Sequence, residues 1–221
     1  MAVAQQDKAL GWRRNQRFIV GAAVCVIVSA LAAFAVDVVR LNGVIQNGAF
    51  AVVPDASGDV VAGVVGERAR ELILTSILTA IVEELVFRGV LLRALLRKLS
   101  ARAVIVATSA IFAVLHMLPF GMPEAVGDWA ALAATSLLLK GLQAFLFGSV
   151  MAAIVLRGGN LPIVMALHAL FDTLCFAVPV LSTGAFPDTY IATAPEQLIP
   201  VALSALLLAP AAVSALWREF A

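Results

Sequence analysis

The stretch Ile81-Val-Glu-Glu-Leu-Val-Phe-Arg-Gly89 sets two carboxylates and a guanidinium inside a run that is otherwise apolar. Each charge at the centre of a membrane helix costs roughly 2.5–3.5 kcal/mol on insertion-derived scales, so Glu83, Glu84 and Arg88 would together cost on the order of 8–10 kcal/mol if left unpaired. That cost argues against lipid-facing positions. The three residues belong in a protein interior or a wet cavity, and an ionisable residue within a membrane span marks a functional site by default.

The rest of the chain supports a membrane setting. Of its 221 residues 62% are hydrophobic and only 13% charged, with a mean hydropathy of +1.03, well outside the range of soluble domains. The expected fold is all-α: a polytopic membrane helical bundle of about six transmembrane helices. A formal net charge of +1 gives no reason to expect a nucleic-acid partner, because in such a chain the placement of charges matters more than their sum. Cys25 and Cys175 fall in apolar runs and read as small buried hydrophobes rather than a disulfide or metal pair.

Three parts follow from the charge pattern: a basic segment at 1–17, an integral membrane domain at 18–217 and a short tail at 218–221. The first span is expected from Phe18 to about Val39. Ala33-Phe34-Ala35 has the form of a signal-cleavage site, but the apolar run is longer than a signal h-region, so an uncleaved helix is expected. Residues 40–70 carry the turn signals Asn42-Gly43, Asn47-Gly48 and Pro54-Asp55, which predict a non-spanning loop with a short hairpin. The second helix is expected from about Glu71 to Lys98, the third from Arg102 to Leu118, closed by the breakers Pro119–Pro123. A fourth covers Trp129–Leu156, with Lys140 inside it to snorkel or to line a cavity as a counter-charge. Arg157-Gly-Gly-Asn-Leu-Pro162 is a turn into a fifth helix ending near Leu181, Ser182–Glu196 is an outer loop, and Gln197–Leu216 makes the sixth helix. Lys and Arg number four, four, one and one in one set of connections and termini against three, zero and zero in the other. By the positive-inside rule both termini are expected to be cytoplasmic, and the compact, alanine-rich composition with few lysines points to a multi-pass protein of the bacterial cytoplasmic membrane.

If the second and third helices form an antiparallel pair turning near Leu99–Ser100, Glu83 and His116 lie about sixteen residues from the turn and should meet at one depth, roughly 25 Å away. A carboxylate level with an imidazole can hold and activate a water, the carboxylate acting as general base. Glu84 and Arg88 are spaced i,i+4 with the acid first, the better orientation for an ion pair. In His168-Ala-Leu-Phe-Asp172 the imidazole and carboxyl share a helix face, either tying helices together or stabilising negative charge on a substrate carbonyl. Both histidines of the chain lie in spans, each with a carboxylate available, which shifts the balance toward function.

The motifs Glu83-Glu84-x-x-x-Arg88, Phe112-x-x-x-His116 and His168-x-x-x-Asp172, in this order and across about Glu71–Leu181, resemble the three signature motifs of the CAAX prenyl endopeptidase and bacteriocin-processing (Abi-type) intramembrane glutamate proteases. The resemblance implies that Glu83 activates the hydrolytic water with His116, that His168 and Asp172 form the oxyanion side, that Glu84 and Arg88 hold the first helix of the site, and that Phe112 packs behind His116. Eukaryotic members have Asn where this chain has Asp172; an ionised Asp172 cannot donate to an oxyanion and would act protonated or through His168. It also implies a cavity open to the cytoplasm and the bilayer, with a membrane-associated peptide or protein as substrate. His168 lies only about ten residues from the cytoplasmic end, so the cluster forms only if the second and third helices project about 10 Å beyond it.

No cofactor is expected. Zinc is the alternative, since Glu, His and Asp are competent ligands, but no His-Glu-x-x-His is present. A proton-coupled transporter and a non-catalytic immunity or binding protein are the rival functions. Paired, internally repeated halves, which transporters often show, are not visible in the sequence.

Overall fold

The computed structural model describes residues 2–41, 62–118, 129–183, 191–192 and 194–217. Among them there is no strand. The elements are α1 (Ala2–Leu41), α2 (Ala62–Glu84), a π-helical turn (Leu85–Leu91), α3 (Leu92–Leu95), α4 (Ala101–Met117), α5 (Trp129–Leu156), α6 (Leu161–Thr183), a 3-10 turn (Pro195–Gln197) and α7 (Leu198–Trp217). Since α2, the π turn and α3 run on without a break, the described chain is a bundle of six helices. Four segments, Arg13–Arg40, Ala131–Leu156, Leu161–Leu181 and Pro195–Trp217, are long and apolar enough to cross a membrane. This is an integral membrane protein.

The helix predictions mostly agree with the structure, with two corrections. α1 begins at Ala2 rather than Phe18, so residues 2–17 extend the first helix. Residues 62–70, expected in a loop, are helical, because every turn signal of that stretch precedes Ala62. Arg68 Nη1 ties this early start to α6 by donating to the Leu181 carbonyl at 3.2 Å. The hairpin within 42–61, the breakers at 119–123, most of the 182–196 loop and the tail at 218–221 lie outside the described residues.

Packing runs around a ring: α4 lies along α5, α5 along α7, α7 along α1, α1 along α6 and α6 along α2. The ring closes through the π turn, which touches α4, α5 and α6. α2 and α4, though joined by one short turn, meet through the π turn and α3 rather than along their lengths. That leaves a seam between them.

α2 is built inside out relative to a soluble helix. Its buried stripe is Leu72, Ser76, Ala80, Glu84, Arg88 and Leu92, whereas Ile73, Leu74, Ile77, Leu78, Val82 and Val86 are exposed. Apolar side chains outward and charged ones inward is the pattern expected where the solvent is hydrocarbon. The stripe repeats every four residues, overshooting an α-helical turn by about 40° at each step. The wider π turn takes back part of that drift, so Phe87, Arg88 and Leu92 stay on the inner face with Glu84.

Two turns fix the registers of the site. Ser100 caps α4, its hydroxyl accepting from the Ala103 N–H at 3.4 Å, which suits a sharp reversal after α3. Between α5 and α6, Gly158 has φ 96°, a conformation glycine adopts without penalty, and Asn160 Oδ1 accepts from the Ile163 N–H at 3.0 Å to start α6. Leu161, the first residue of α6, lies beside Gly89. α3 and its turn therefore extend past the start of α6 by six residues and more, about 9 Å, as the projection argument requires.

α4 approaches α5 closely at Gly148, where an added Cβ would come within 3.2–3.3 Å of Ser109, including its Cα. At Gly141 an added Cβ would run into the Met117 thioether, which can swing aside. Gly148→Ala is expected to lower stability by about 1–3 kcal/mol, the usual range for overpacking against backbone, and Gly141→Ala by clearly less. Thermal unfolding of the two variants in detergent checks the order.

Candidate active site

Glu84 is fully buried and its Oε1 is the hub of the site. It accepts from Arg88 Nη1 at 2.9 Å and from His168 Nδ1 at 2.8 Å, joining α2 to α6. The i,i+4 spacing predicts the first bond. The second joins residues 84 positions apart, and no local pattern signals it.

The same hub anchors Arg88. Its Nη2 donates to the Gly148 carbonyl of α5 at 3.2 Å, and its guanidinium lies over the Phe112 ring at 5.0 Å. One planar cation thus links the π turn, α5 and α4, a use for which the fork of Arg is better shaped than Lys. The α4–α5 approach at Gly148 puts that carbonyl within reach.

His168 is buried, and its tautomer follows from its partners. A carboxylate paired with Arg88 accepts, so Nδ1 carries the proton toward Glu84 and Nε2 points the other way. Nε2 lies 3.7 Å from Glu83 Oε2 and 3.4 Å from Asp172 Oδ2. Three carboxylates therefore surround one imidazole. Phe147 at 4.9 Å and Phe112 at 6.1 Å, measured between ring centroids, wall it in edge-on.

His116 lies on the far side of the seam. Its Nδ1 is 2.9 Å from the Phe112 carbonyl, which can only accept, so Nδ1 is protonated and neutral His116 has a bare Nε2. Phe112 packs against it with ring centroids 4.2 Å apart. Phe87 and Phe112 are in contact at 4.9 Å, with Glu83 four residues before one and His116 four residues after the other. In antiparallel helices that makes Glu83 and His116 level, as their equal distance from the turn predicts. They do not touch, however: among the described residues the imidazole paired with Glu83 is His168. The divergence of α2 and α4 accounts for the gap.

All six candidates thus gather in one region, with Glu84, Arg88 and His168 buried and Glu83, His116 and Asp172 partly accessible. Glu83 Oε2 is a buried acceptor with no hydrogen bond. Sequence reading gave no sign of Phe147, of the Gly148 carbonyl or of the π turn.

A membrane-embedded helical bundle with acids, imidazoles and a guanidinium converging inside it is the architecture of an intramembrane enzyme. Residues 66–174, about half of the chain, match the family model of type II CAAX prenyl endopeptidases, Rce1-like, and the match includes every residue of this cluster. The chain belongs to that family and is a CAAX-type intramembrane protease, acting on membrane-associated proteins or peptides. No curated protein and no solved structure matches it.

Proposed function

We propose that this protein hydrolyses a peptide bond by a glutamate-type mechanism, with Glu83 as the general base for a water held between Glu83 and His116. The observation that carries the reading is the 3.7 Å approach of Glu83 Oε2 to His168 Nε2, which brings a carboxylate and a proton donor from different helices to one point. Glu83 takes a proton as the water oxygen bonds to the scissile carbonyl carbon. The bare Nε2 of His116 orients the water and shares that proton. His168, held by Glu84, donates Nε2–H to the carbonyl oxygen as it becomes an oxyanion. Asp172, whose Oδ2 lies 3.4 Å from Nε2, acts through His168 by fixing the orientation of the ring. Collapse of the tetrahedral adduct breaks the C–N bond, and the proton gained by Glu83 passes to the leaving amine.

The seam between α2 and α4, rimmed by exposed apolar side chains, gives a membrane-anchored peptide a lateral way to the gap. A substrate carrying a lipid or prenyl group fits that route. The Lys and Arg asymmetry supports both termini in the cytoplasm, and the compact, alanine-rich composition with few lysines supports a bacterial cytoplasmic membrane.

The reaction proceeds without a metal. Glu84 Oε1 is already engaged by Arg88 at 2.9 Å and by His168 at 2.8 Å, and the buried Arg88 guanidinium beside the acids disfavours a divalent ion. Activity that tracks stoichiometric zinc in the purified protein would overturn this.

His116→Ala is expected to cut cleavage of a membrane-anchored peptide by about 10²–10³-fold, the usual range for losing an acid–base partner. Folding should be spared, because His116 is half-buried and its hydrogen bond stays within α4. Comparing the membrane peptides of cells carrying the parent or Glu83→Ala identifies the substrate as the peptide whose processing disappears.

A further inference from the structure

Side-chain contacts set a common level across one end of the bundle. Arg102, in the first turn of α4, donates through Nη2 to the Trp217 carbonyl at the end of α7 at 3.5 Å. Arg157, just past α5, lays its guanidinium over the Phe18 ring of α1 at 4.3 Å. α4 and α5 run antiparallel, with Met117 against position 141 and Ser109 against position 148, and the same register carries Arg157 to within about a turn of Arg102. Phe18, Arg157, Arg102 and Trp217 therefore lie near one plane.

Outward from that plane the exposed side chains are basic. Arg13, Arg14 and Arg17 of α1, Arg97 and Lys98 past α3, and Arg102 are all exposed, and among the described residues none of the six pairs with a carboxylate. Arg17 to Arg13 lie about 1.5–7.5 Å beyond Phe18 along the axis of α1, and the headgroup layer on each face of a bilayer is about 5–7 Å thick. One turn inward the surface changes to apolar, with Val20, Val106 and Val213 exposed on the same helices as the cations and Trp217. Trp217 stands between the two zones and is 79% exposed, the position an indole takes at a membrane interface.

We propose that this end of the bundle binds the phosphodiester headgroups of anionic phospholipids, with the cations in the headgroup layer and the acyl chains along the valines beneath. The two zones together select the ligand. A soluble phosphate would use the cations alone, and a neutral lipid the apolar flank alone, whereas an anionic lipid engages both. Arg97 and Lys98 end the arm that carries Glu83, Glu84 and Arg88, so headgroups held there also tether that arm to the membrane surface.

The test uses purified full-length protein carrying Trp12→Phe and Trp129→Phe, which leaves Trp217 as the sole indole, in vesicles of phosphatidylcholine mixed with phosphatidylglycerol. One lipid or the other is brominated on its chains. Bromine quenches an indole that it touches, so quenching of Trp217 gives the ratio of the two affinities at this surface. Phosphatidylglycerol should be preferred by about 10-fold at low salt and by clearly less at about 1 M salt. With Arg97→Gln, Lys98→Gln and Arg102→Gln combined, the preference should fall below about 2-fold. Arg70→Gln, at an exposed cation near the opposite end of α2, should leave it unchanged. Equal quenching by both lipids before any cation is replaced would overturn the proposal. So would a preference that the triple variant keeps, because the anion would then be held elsewhere, or one that glycerol phosphate in solution abolishes, because the surface would then serve soluble anions. The unsubstituted protein gives a second reading: its thermal midpoint should be higher in vesicles containing phosphatidylglycerol than in phosphatidylcholine alone, and equal midpoints would also overturn the proposal.

Discussion

Glu83→Gln should abolish peptide-bond cleavage while leaving the bundle folded. The amide keeps the shape and one acceptor oxygen of the carboxylate but cannot take a proton at neutral pH, so the loss is that of a general base, on the order of 10³-fold in kcat. The fold should tolerate the change because Glu83 is not the residue that balances the buried charge. Its carboxylate is about a quarter exposed and 3.7 Å from His168, and His168 keeps its 2.8 Å bond to Glu84. The thermal midpoint in detergent should stay within a few degrees of the parent's. Cleavage at the parent rate by a folded Glu83→Gln protein would rule out Glu83 as the base and transfer attention to Asp172. Loss of cleavage together with loss of folding would mean that Glu83 helps to hold the helices.

How far such effects can be read from sequence depends on the range of the interaction. The equal depth of Glu83 and His116 was legible because one short turn joins their helices and a fixed rise per residue carries the rest. The Glu84–Arg88 bond was legible because its partners share a helix. The Glu84–His168 bond was not, since only the packing of α2 against α6 brings the two together. Nor was the pairing of Glu83 with His168 rather than His116, which follows from α2 packing along α6 and parting from α4. The π turn was not legible either: the buried stripe Leu72, Ser76, Ala80, Glu84, Arg88 and Leu92 repeats every four residues, a spacing that a straight α-helix cannot keep on one face, but apolar residues on every side hide it in the sequence. Lys140 was visible as a charge in a span, but its relation to the site depends on the α4–α5 register set at Gly141 and Gly148.

Arg88→Met should damage both folding and activity, and a second substitution should separate the two. In the parent, Arg88 is buried, neutralises Glu84 at 2.9 Å and satisfies the Gly148 carbonyl at 3.2 Å. Its removal leaves a buried carboxylate with only His168 against it, and breaking a buried pair in this way costs about 3–5 kcal/mol. A sharp fall in folded yield and thermal midpoint is therefore expected. Methionine fills most of the vacated volume, so the loss reports charge more than cavity. The double variant Glu84→Gln with Arg88→Met removes both charges together and should recover most of the stability, because replacing a buried ion pair by neutral groups is often close to neutral. The amide that replaces the Glu84 carboxylate can still accept from His168 Nδ1–H, so the imidazole keeps its orientation. It does not, however, supply the negative charge that strengthens His168 as a hydrogen-bond donor, and cleavage should stay well below the parent's. Recovery of stability without recovery of activity would assign Glu84 two distinct tasks, charge balance with Arg88 and support of His168 as a donor. Recovery of both would reduce it to the first, and failure of the double variant to fold would mean that Arg88 holds α4 and α5 together through Gly148 and Phe112 rather than by its charge.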